Sequence, residues 1–505
     1  MTFSTVVILA SDGSERIRLA KAIREEDVYA VVLPCRTPAS TILEYSPSGI
    51  LIPASGDLSS LDPAVLSLGL PVLCFGEGTS RVLDLLGGSV AVRTLLRQAD
   101  QETVVDCDLS SVLFCGGEHT VRLRTEVFGG ISALPEGFRA VARSDVPTIL
   151  GVEDNAHRIY GLTVHPGENP SPFFRGILRN FLFTVCRALP DYTPGALASE
   201  LITRIRARVG SGRLLTALYP SVASVTANAL LARALPGQVT TVCIDTGLMR
   251  EHEAEELSVI FEALDLSLVR VDAGEDFLSA LDGASCASGK DSTIKQTVGR
   301  VFREAARDLG HFDFFSLGRI YDDFLTLGES PSPDMISHGT EPLCTSLGIA
   351  SELIPTAALF ENEARALGAL LGLPRKLTNR RYYPLAGVAI RINGVITREK
   401  ITLLRAADRI VREELERSRS RLDKFFVALL EPPRMSDGVR LREYYSVAIV
   451  TTRTGQNGRP GFAHVPHPLL SHISDRITSE LPSVKRVFFD ITNDPSGFVD
   501  QIDWM

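Results

Sequence analysis

One stretch, residues 214–250, constrains the fold of this chain more than any other part of it. Its pattern of apolar runs predicts, in order, a strand, a turn, a small-residue helix and a second strand, at 214–218, 219–221, 222–234 and 239–244. Two strands joined by a helix form the right-handed βαβ unit of a parallel sheet. Ligands of such sheets bind beyond the carboxyl ends of the strands. We therefore expect the turns that follow the two strands to face one crevice.

Composition and charge narrow the class of protein. A chain of 505 residues is too long for a single core, so two to four domains are expected. A net charge of −9 gives no reason to expect nucleic acid or an anionic membrane as a partner. The eight cysteines include no C-x-x-C pair, which favours a reducing compartment and predicts neither a disulfide framework nor a metal site.

Targeting signals are not evident in the sequence. No apolar run approaches the roughly 18 residues that a membrane-spanning helix needs. The first residues have the pattern of a strand, at 5–10, rather than that of a signal peptide. The sequence therefore predicts a cytoplasmic protein with no membrane partner.

The first 190 residues alternate short apolar strands with amphipathic helices, which is an α/β pattern. Within them stand Gly-Ile-Leu-Ile at 49–52, Leu-Pro-Val-Leu at 70–73, Leu-Gly-Gly at 86–88 and Tyr-Gly-Leu-Thr-Val-His-Pro at 160–166. Further on stand Ile-Asp-Thr-Gly-Leu-Met-Arg at 244–250, Val-Asp-Ala at 271–273, Asp-Phe-Leu-Ser-Ala-Leu at 276–281 and Gly-Arg-Val-Phe at 299–302. A last strand-like motif, Val-Lys-Arg-Val-Phe-Phe-Asp-Ile-Thr, occupies 484–492.

In this order and at this spacing the motifs resemble the glutamine-hydrolysing GMP synthase family. The resemblance implies an α/β fold with three domains: a class I glutamine amidotransferase-like domain (1–190), an ATP pyrophosphatase-like domain (191–385) and a C-terminal dimerisation domain (386–505). The second would be an adenine-nucleotide alpha-hydrolase-like domain with a Rossmann-type parallel sheet, and the third a smaller α+β domain. The family aminates XMP to GMP with Mg-ATP and with ammonia taken from glutamine, and it forms homodimers through the last domain.

The residues that would hydrolyse glutamine are largely replaced. An amidotransferase needs a Cys nucleophile on a tight strand-to-helix elbow, together with a His base and an orienting acid. The resemblance puts Gly76 at the nucleophile position and His165 at the base, which we interpret as a relic. Cys74 is a substitute nucleophile only if the elbow slips by two residues. The oxyanion glycines correspond to residues 54–55, Ala and Ser, and the orienting Glu to residue 167, a Gly.

The pyrophosphate loop of the family is altered as well. Its Ser-Gly-Gly-x-Asp-Ser-Ser corresponds here to Tyr-Pro-Ser-Val-Ala-Ser-Val at 219–225, in which Pro220 has no N–H and only Ser224 matches. The remaining ATP-binding candidates implied by the resemblance are Asp245, Gly247 and Gly318. The substrate-binding candidates are Arg300, Asp323, Ser337, His338 and Arg391.

The C-terminal third likewise combines predicted secondary-structure elements with altered residues at the positions that would bind ligands. Residues 402–430 are predicted to form a long charged helix, and 445–451 and 484–492 are predicted strands. The family's Lys-Pro-Pro phosphate clamp is Asp-Pro-Ser at 494–496, and an Asp in place of a Lys repels a phosphate. The final acidic residue of the family's Trp-Glu pair is replaced by Met505.

Three hypotheses follow. The first is a catalytically impaired or inactive paralogue that acts as a dimeric scaffold or regulatory protein, needs no cofactor, and retains at most a residual ATP or XMP pocket beside an unknown protein partner. The second is an enzyme, either an active GMP synthase or a repurposed ATP-dependent amide-forming ligase, which would use Mg-ATP and free ammonia. The third is an interaction module that uses an exposed face of the amidotransferase-like domain. An old ATP crevice filled by Tyr219 and its neighbours would count against the enzyme.

Overall fold

The computed structural model describes residues 3–11, 14–54, 57–91, 102–124, 130–144, 148–166, 171–264, 267–326, 335–338, 342–349, 351–379, 387–418, 424–431, 444–454 and 460–491. The chain divides into two compact units: the first comprises Met1–Ala196 and the second begins at Leu197. The three predicted domains, with boundaries at 190 and 385, stay predictions. Among the helices in these ranges, none is long and apolar enough to cross a membrane.

The first unit is built on a mixed sheet of eleven strands. The strands are β1 (Thr5–Ala10), β2 (Tyr29–Pro34), β3 (Gly49–Ile52), β4 (Val72–Phe75), β5 (Ser89–Ala91), β6 (Glu102–Cys107), β7 (Thr120–Arg124), β8 (Gly130–Ala133), β9 (Arg139–Ser144), β10 (Ile149–Asp154) and β11 (Ile159–Leu162). The helices are α1 (Ser14–Arg24), α2 (Ala39–Leu43), α3 (Gly76–Leu85) and α4 (Pro172–Arg179), with 3₁₀ turns at Pro63–Ser67 and Val112–Phe114 and a π-helical turn at Asn180–Val185.

Parallel pairing holds the part of this sheet that carries the elbow. The order β2-β1-β3-β4-β11 is parallel throughout, and the strands from β11 onward pair antiparallel. Every residue of β1, β3 and β4 is buried, as expected for apolar strands in a sheet covered on both faces. The carboxyl ends of β3 and β4 therefore lie side by side, and β4 runs directly into α3.

The second unit contains two sheets. Its strands are β12 (Leu214–Leu218), β13 (Val239–Asp245), β14 (Ser267–Asp272), β15 (Phe314–Ser316), β16 (Ile336–His338), β17 (Ser351–Leu353), β18 (Lys424–Leu430), β19 (Tyr445–Thr454), β20 (Pro460–Phe462) and β21 (Val484–Asp490). Its helices are α5 (Pro194–Val209), α6 (Val222–Ala234), α7 (Glu253–Glu262), α8 (Gly274–Ala280), α9 (Ala287–Arg307), α10 (Tyr321–Thr326), α11 (Pro342–Leu347), α12 (Glu361–Leu370), α13 (Arg375–Thr378), α14 (Arg398–Arg417) and α15 (His467–Glu480), with a 3₁₀ turn at Ala389–Arg391.

The larger sheet of this unit has the order β14-β13-β12-β15-β17-β16, and only β16 is antiparallel to its neighbour. The smaller sheet pairs β19 with β18, β20 and β21. One apolar cluster extends from Leu215 and Phe315 under the larger sheet to Val447 and Ile477 under the smaller one. The predicted α/β fold class, with a βαβ unit at 214–245 and a smaller sheet domain at the end, is confirmed.

The long helix predicted for residues 402–430 is wrong in its second half. Helix α14 ends at Arg417, and residues 424–430 form β18, which pairs antiparallel with β19. Residues 425–430 are apolar at every position, and Phe425, Val427, Ala428 and Leu429 are buried, as expected for a short strand that lies inside the core. Antiparallel pairing with β19 decides the conformation of residues 424–430. The many charged residues before Arg417 favoured a single long helix in the sequence.

Candidate functional site

The elbow between β4 and α3 is retained in shape but has no side chain at its tip. Gly76 begins α3 with φ of +46°, a conformation that L side chains rarely adopt and that glycine adopts readily. Gly78 lies so close to the end of β3 that an added Cβ would come within 2.6 Å of the Pro53 carbonyl oxygen. The Glu77 N–H donates to the Ala54 carbonyl oxygen at 2.8 Å. These contacts hold the turn tight, yet glycine supplies no nucleophile.

An internal carboxylate, that of Glu15, lies close to the imidazole of His165. Glu15, from the first turn of α1, is buried, and its Oε1 accepts the Ala54 N–H at 3.0 Å. The same oxygen lies 3.6 Å from Nε2 of His165. The family resemblance assigns the oxyanion donors to residues 54–55. The Glu15 carboxylate therefore already accepts one of these donors, the Ala54 N–H. Sequence patterns missed Glu15, because no local spacing links it to Ala54, 39 residues away.

Cys74 lies in the middle of the apolar core rather than at the elbow. It pairs with Ile52 and Gly161 in the sheet and is completely buried. Burial raises the pKa of its thiol far above the ordinary value. Because the thiolate is the nucleophilic form of cysteine, this environment does not suit Cys74 to the role of substitute nucleophile.

The turn between β12 and α6 uses its own polar groups internally. Ser221 caps α6 by accepting the Ser224 N–H at 3.1 Å. The Ser224 hydroxyl accepts the Tyr219 N–H at 2.9 Å and donates to the Ala217 carbonyl at 3.2 Å. The Ser221 N–H donates to the Tyr219 carbonyl at 2.8 Å, and Pro220 has no N–H. Three backbone donors of this turn thus have acceptors within it.

Neighbouring elements close over the same turn. An added Cβ at Gly318 would lie 2.3 Å from the Ser224 Cα, so the loop after β15 rests directly on the first turn of α6. Val222 and Ala223 are buried in a small apolar cluster with Ile320 and Ala364. Apolar side chains therefore cover the helix N-terminus on which a pyrophosphate would be expected. The backbone donors and this cover together do not fit a bound pyrophosphate.

The turn after β13 is a compact structural connection. Asp245 accepts the Gly247 N–H on Oδ1 at 3.0 Å and the Arg270 Nη2–H on Oδ2 at 3.2 Å. Gly247 has φ of +67°, and a Cβ there would lie 2.9 Å from the Gly274 Cα. Arg405 of α14 donates to the carbonyls of Met249 and Gly247 at 2.7 and 3.0 Å. Because β12 and β13 are adjacent and parallel, this turn and the turn after β12 share the carboxyl edge of the sheet.

The loop after β15 carries a buried ion pair that the motifs had not suggested. Arg319 donates from Nη2 to Oε2 of the buried Glu352 at 2.7 Å. The Thr356 hydroxyl donates to the Arg319 carbonyl at 2.7 Å. Asp323 accepts the Ile320 N–H at 2.8 Å, and burial raises the pKa of its carboxyl. Glu352 thus holds this loop through Arg319, and Asp323 holds it through the Ile320 N–H.

The remaining described substrate-binding candidates are Arg300, which is on the surface, and Arg391, whose neighbour Asp408 also lies 3.5 Å from the Arg250 Nε in the turn after β13. Arg300 is on α9, where it donates to Asp276 at 2.7 Å and to Glu304 at 3.0 Å, and these bonds raise its pKa. Arg391 is buried, with Nη1 3.9 Å from the Asp408 Oδ1 and its guanidinium 5.3 Å from the Phe426 ring centre.

Several predicted positions lie outside the described residues. Ser337 and His338 are on β16, where their backbones pair with β17, and their side chains are not described. The segment that carries the altered phosphate clamp, 494–496, the last two residues and the predicted site positions 55 and 167 also fall outside the described ranges. Within those ranges, no group of three or more His, Cys, Asp or Glu could hold a metal ion.

Comparison with known proteins defines the class and then the family. A family model described as the GMP synthase C terminal domain matches residues 414–501. A glutamine-hydrolyzing GMP synthase of Thermomicrobium roseum is 36% identical over 520 residues, which cover 99% of this chain and 97% of that relative. One of Clostridium perfringens is 31% identical over 507 residues, covering 98% of this chain and 99% of the relative. A solved glutamine amidotransferase of Thermotoga maritima covers 37% of this chain and 100% of its own at 14% identity, with a TM-score of 0.30.

An elbow on a mixed sheet, a parallel βαβ sheet and a small C-terminal sheet define an α/β protein. The relatives match it from end to end at more than 30% identity. The chain belongs to the glutamine-hydrolysing GMP synthase family.

Proposed function

We propose that this chain is a catalytically impaired or inactive member of the family, which acts as a dimeric scaffold or regulatory protein. The observation that carries the proposal is Gly76, which stands at the tip of an otherwise preserved elbow and provides no nucleophile. In a serine protease, loss of the nucleophile costs on the order of 10⁶ in kcat. We therefore expect no measurable glutamine hydrolysis by this route.

The Glu15 carboxylate reinforces the same conclusion. It accepts the Ala54 N–H, which the carbonyl oxygen of an incoming amide would need as a donor, and it lies beside His165. A carboxylate already held there competes with the developing oxyanion by charge repulsion. Restoring Cys at position 76 alone should therefore leave glutaminase activity negligible.

Loss of strong ATP binding is the second part of the proposal. The Tyr219, Ser221 and Ser224 N–H groups already have acceptors within their turn. Each charge-assisted hydrogen bond that a phosphate fails to receive costs about 1.5–3 kcal/mol. Three such losses weaken binding by roughly three orders of magnitude or more.

A second candidate function is amination by an ammonia-dependent enzyme, either GMP synthesis or another ATP-dependent amide-forming reaction. The observation in its favour is that the turns after β12 and β13 still share one edge of the parallel sheet. That reaction would need ATP bound through groups other than the closed turn. Asp245 and Gly247 are the residues to substitute if activity is found.

The deciding experiment bypasses glutamine. Purified protein at high concentration receives XMP, Mg-ATP and ammonium, and GMP formation is followed beside an active GMP synthase in the same buffer. We expect no turnover here and full turnover in the control. A second reaction replaces ammonium with glutamine and measures glutamate release. Clear GMP formation with ammonium refutes the inactive-paralogue proposal and supports the second candidate.

The homodimer is a further part of the proposal, through the C-terminal region that the family model matches. On β21, Val487 and Phe489 pack toward the core, so alternation places Phe488 on the opposite face of the sheet. Phe488 is 46% exposed and Ile491 is 69% exposed, which leaves apolar area for a second copy. Light scattering should give twice the mass of one chain, and Phe488→Glu should shift it toward the monomer. A monomeric wild type contradicts this part.

A further inference from the structure

A small cavity of about 230 Å³ lies in the second unit, at the amino edge of the larger sheet. It is lined by Leu215 near the start of β12, Phe312 just before β15 and Ile349 just before β17, and these three strands are parallel neighbours. The turns after β12 and β13 lie at the opposite, carboxyl edge, where ligands of parallel sheets usually bind. The cavity is therefore separate from the turns to which the family resemblance assigns ATP.

The walls of this cavity carry positive charge. Arg303 and Arg307 of α9 line it together with the imidazole of His311, and none of the described lining residues is acidic. Arg303 is half-buried and Arg307 is exposed. In the part of the chain that the structure describes, neither guanidinium takes part in a hydrogen bond or an ion pair. Both therefore keep their donors available to a ligand.

The acidic residues nearby do not neutralise these two arginines. The Oδ1 of Asp313 lies 3.7 Å from the Nε2 of His311, so this carboxylate faces the imidazole. The Oε2 of Glu304 lies 3.0 Å from Arg300, on a different side of α9. Asp308 follows the helix as an exposed residue and does not line the cavity. The charge of the cavity is therefore left for a mobile anion to balance.

The spacing of the two arginines along α9 points the same way. Residues four apart lie on the same face of a helix, and like charges at that spacing destabilise it. The helix dipole favours a cation in the last turn, which accounts for Arg307. Arg303 stands one turn earlier, where that benefit has faded. An anion held between the two guanidinium groups would relieve their repulsion.

The shape of the cavity is fixed before a ligand arrives. Gly310 has φ of +90°, which glycine adopts readily, and it turns the chain from the end of α9 toward β15. Arg213 stacks its guanidinium 4.7 Å from the ring centre of the buried Phe312 and donates from Nη2 to the Leu309 carbonyl at 3.3 Å. A pocket that is already rigid loses less conformational freedom when it is filled.

We propose that this cavity binds a phosphoryl group, either as free phosphate or as the phosphate of an ester. A phosphate group carries roughly −1.5 to −2 charges and three acceptor oxygens, and guanidinium groups bind such oxygens in pairs. The volume is below the roughly 300–1,000 Å³ of sites for drug-sized ligands, so the cavity suits this group alone. The proposal is independent of the catalytic state of the chain.

Calorimetric titration of the full-length protein with sodium phosphate tests the proposal. Arg303→Gln and Arg307→Gln should each weaken phosphate binding about tenfold or more, because one charge-assisted hydrogen bond is worth such a factor. Arg233→Gln is the matched control. Arg233 is also an exposed arginine in the last turn of a helix of the second unit, and it does not line the cavity.

The control variant should change the affinity by less than twofold. No phosphate binding by the wild type, unchanged binding in Arg303→Gln and Arg307→Gln, or an equal loss in the control overturns the proposal. Sodium chloride and sodium acetate at equal ionic strength should not displace the phosphate. Displacement by either salt would show that the cavity recognises charge alone, which also overturns the proposal.

A comparison of two ligands distinguishes the sources of the phosphoryl group. Glycerol 3-phosphate replaces inorganic phosphate in the same titration. Tighter binding of the ester supports the proposal and assigns the group to a phosphate monoester. Tighter binding of inorganic phosphate supports it as well and assigns the free ion.

A second measurement uses the unaltered chain, so it does not depend on the folding of a variant. Phenylglyoxal modifies accessible arginines, and peptide mass spectrometry gives the rate at each position. Phosphate should slow the modification of Arg303 and Arg307 several-fold and leave that of Arg233 unchanged. Equal rates at Arg303 and Arg307 with and without phosphate overturn the proposal.

Discussion

The contact between Gly318 and the first turn of α6 gives a direct test of whether the old phosphate site is closed. Gly318→Ala adds a single methyl group. That atom would lie 2.3 Å from the Ser224 Cα, 2.8 Å from the Ser224 N and 2.9 Å from the Ala223 carbonyl oxygen. Gly318 is not among the glycines with positive φ. The substitution therefore tests contact alone and introduces no backbone strain.

The size of the effect follows from these distances. Carbon atoms in contact are normally about 3.5–4.0 Å apart, so the loop and the helix would have to separate by roughly 1.2 Å. The clashing atoms are backbone, which cannot turn away as a flexible side chain does. Overpacking of this kind costs about 1–3 kcal/mol. At about 2–4 °C per kcal/mol for a domain of 150–250 residues, Tm should fall by roughly 2–12 °C.

Differential scanning calorimetry of the full chain measures the shift. Gly195→Ala is the control, since an added Cβ there meets nothing and alanine is the better helix former. The control should leave Tm unchanged or raise it slightly. If Gly318→Ala unfolds within about 1 °C of the wild type, the loop does not rest on α6 as closely as described. A phosphate could then enter, and the argument against ATP binding would fail.

Two further predictions concern buried charges. Glu15→Ala should lower the free energy of unfolding by about 1–3 kcal/mol, because it leaves the Ala54 N–H without its acceptor. Glu15→Gln keeps an acceptor oxygen and should cost less. If calorimetry gives the reverse order, the assigned hydrogen bond is contradicted. Arg319→Met should cost up to about 3–5 kcal/mol, because it removes the guanidinium that pairs with the buried Glu352 carboxylate. The double variant Arg319→Met with Glu352→Gln should lose less than the first alone, and strict additivity in this double-mutant cycle would show that the two side chains do not interact.

The local sequence determined the secondary-structure elements of this protein. It also determined which chemical groups are absent at positions 76 and 220. The short apolar runs and the turn residues between them at 214–245 specify a strand, a helix and a strand, because elements in the middle of a parallel sheet are buried on nearly all sides. A glycine at position 76 cannot be a nucleophile, and Pro220 cannot donate an N–H, whatever surrounds them. The resemblance to GMP synthases extended these assignments to the whole chain, and the relatives confirm the family.

Only the tertiary structure decided which groups surround the elbow after β4 and the turn after β12. Glu15 reaches Ala54 and His165 because α1 packs beside the ends of β3 and β11, and no spacing in the sequence encodes that approach. The contact of Gly318 with Ser224 and the pair of Arg319 with Glu352 likewise join segments that are distant in the chain. Residues 424–430 became a strand because β19 offers hydrogen bonds and a buried face. Local propensity predicts elements, whereas contacts between elements depend on packing that forms only when the chain has folded.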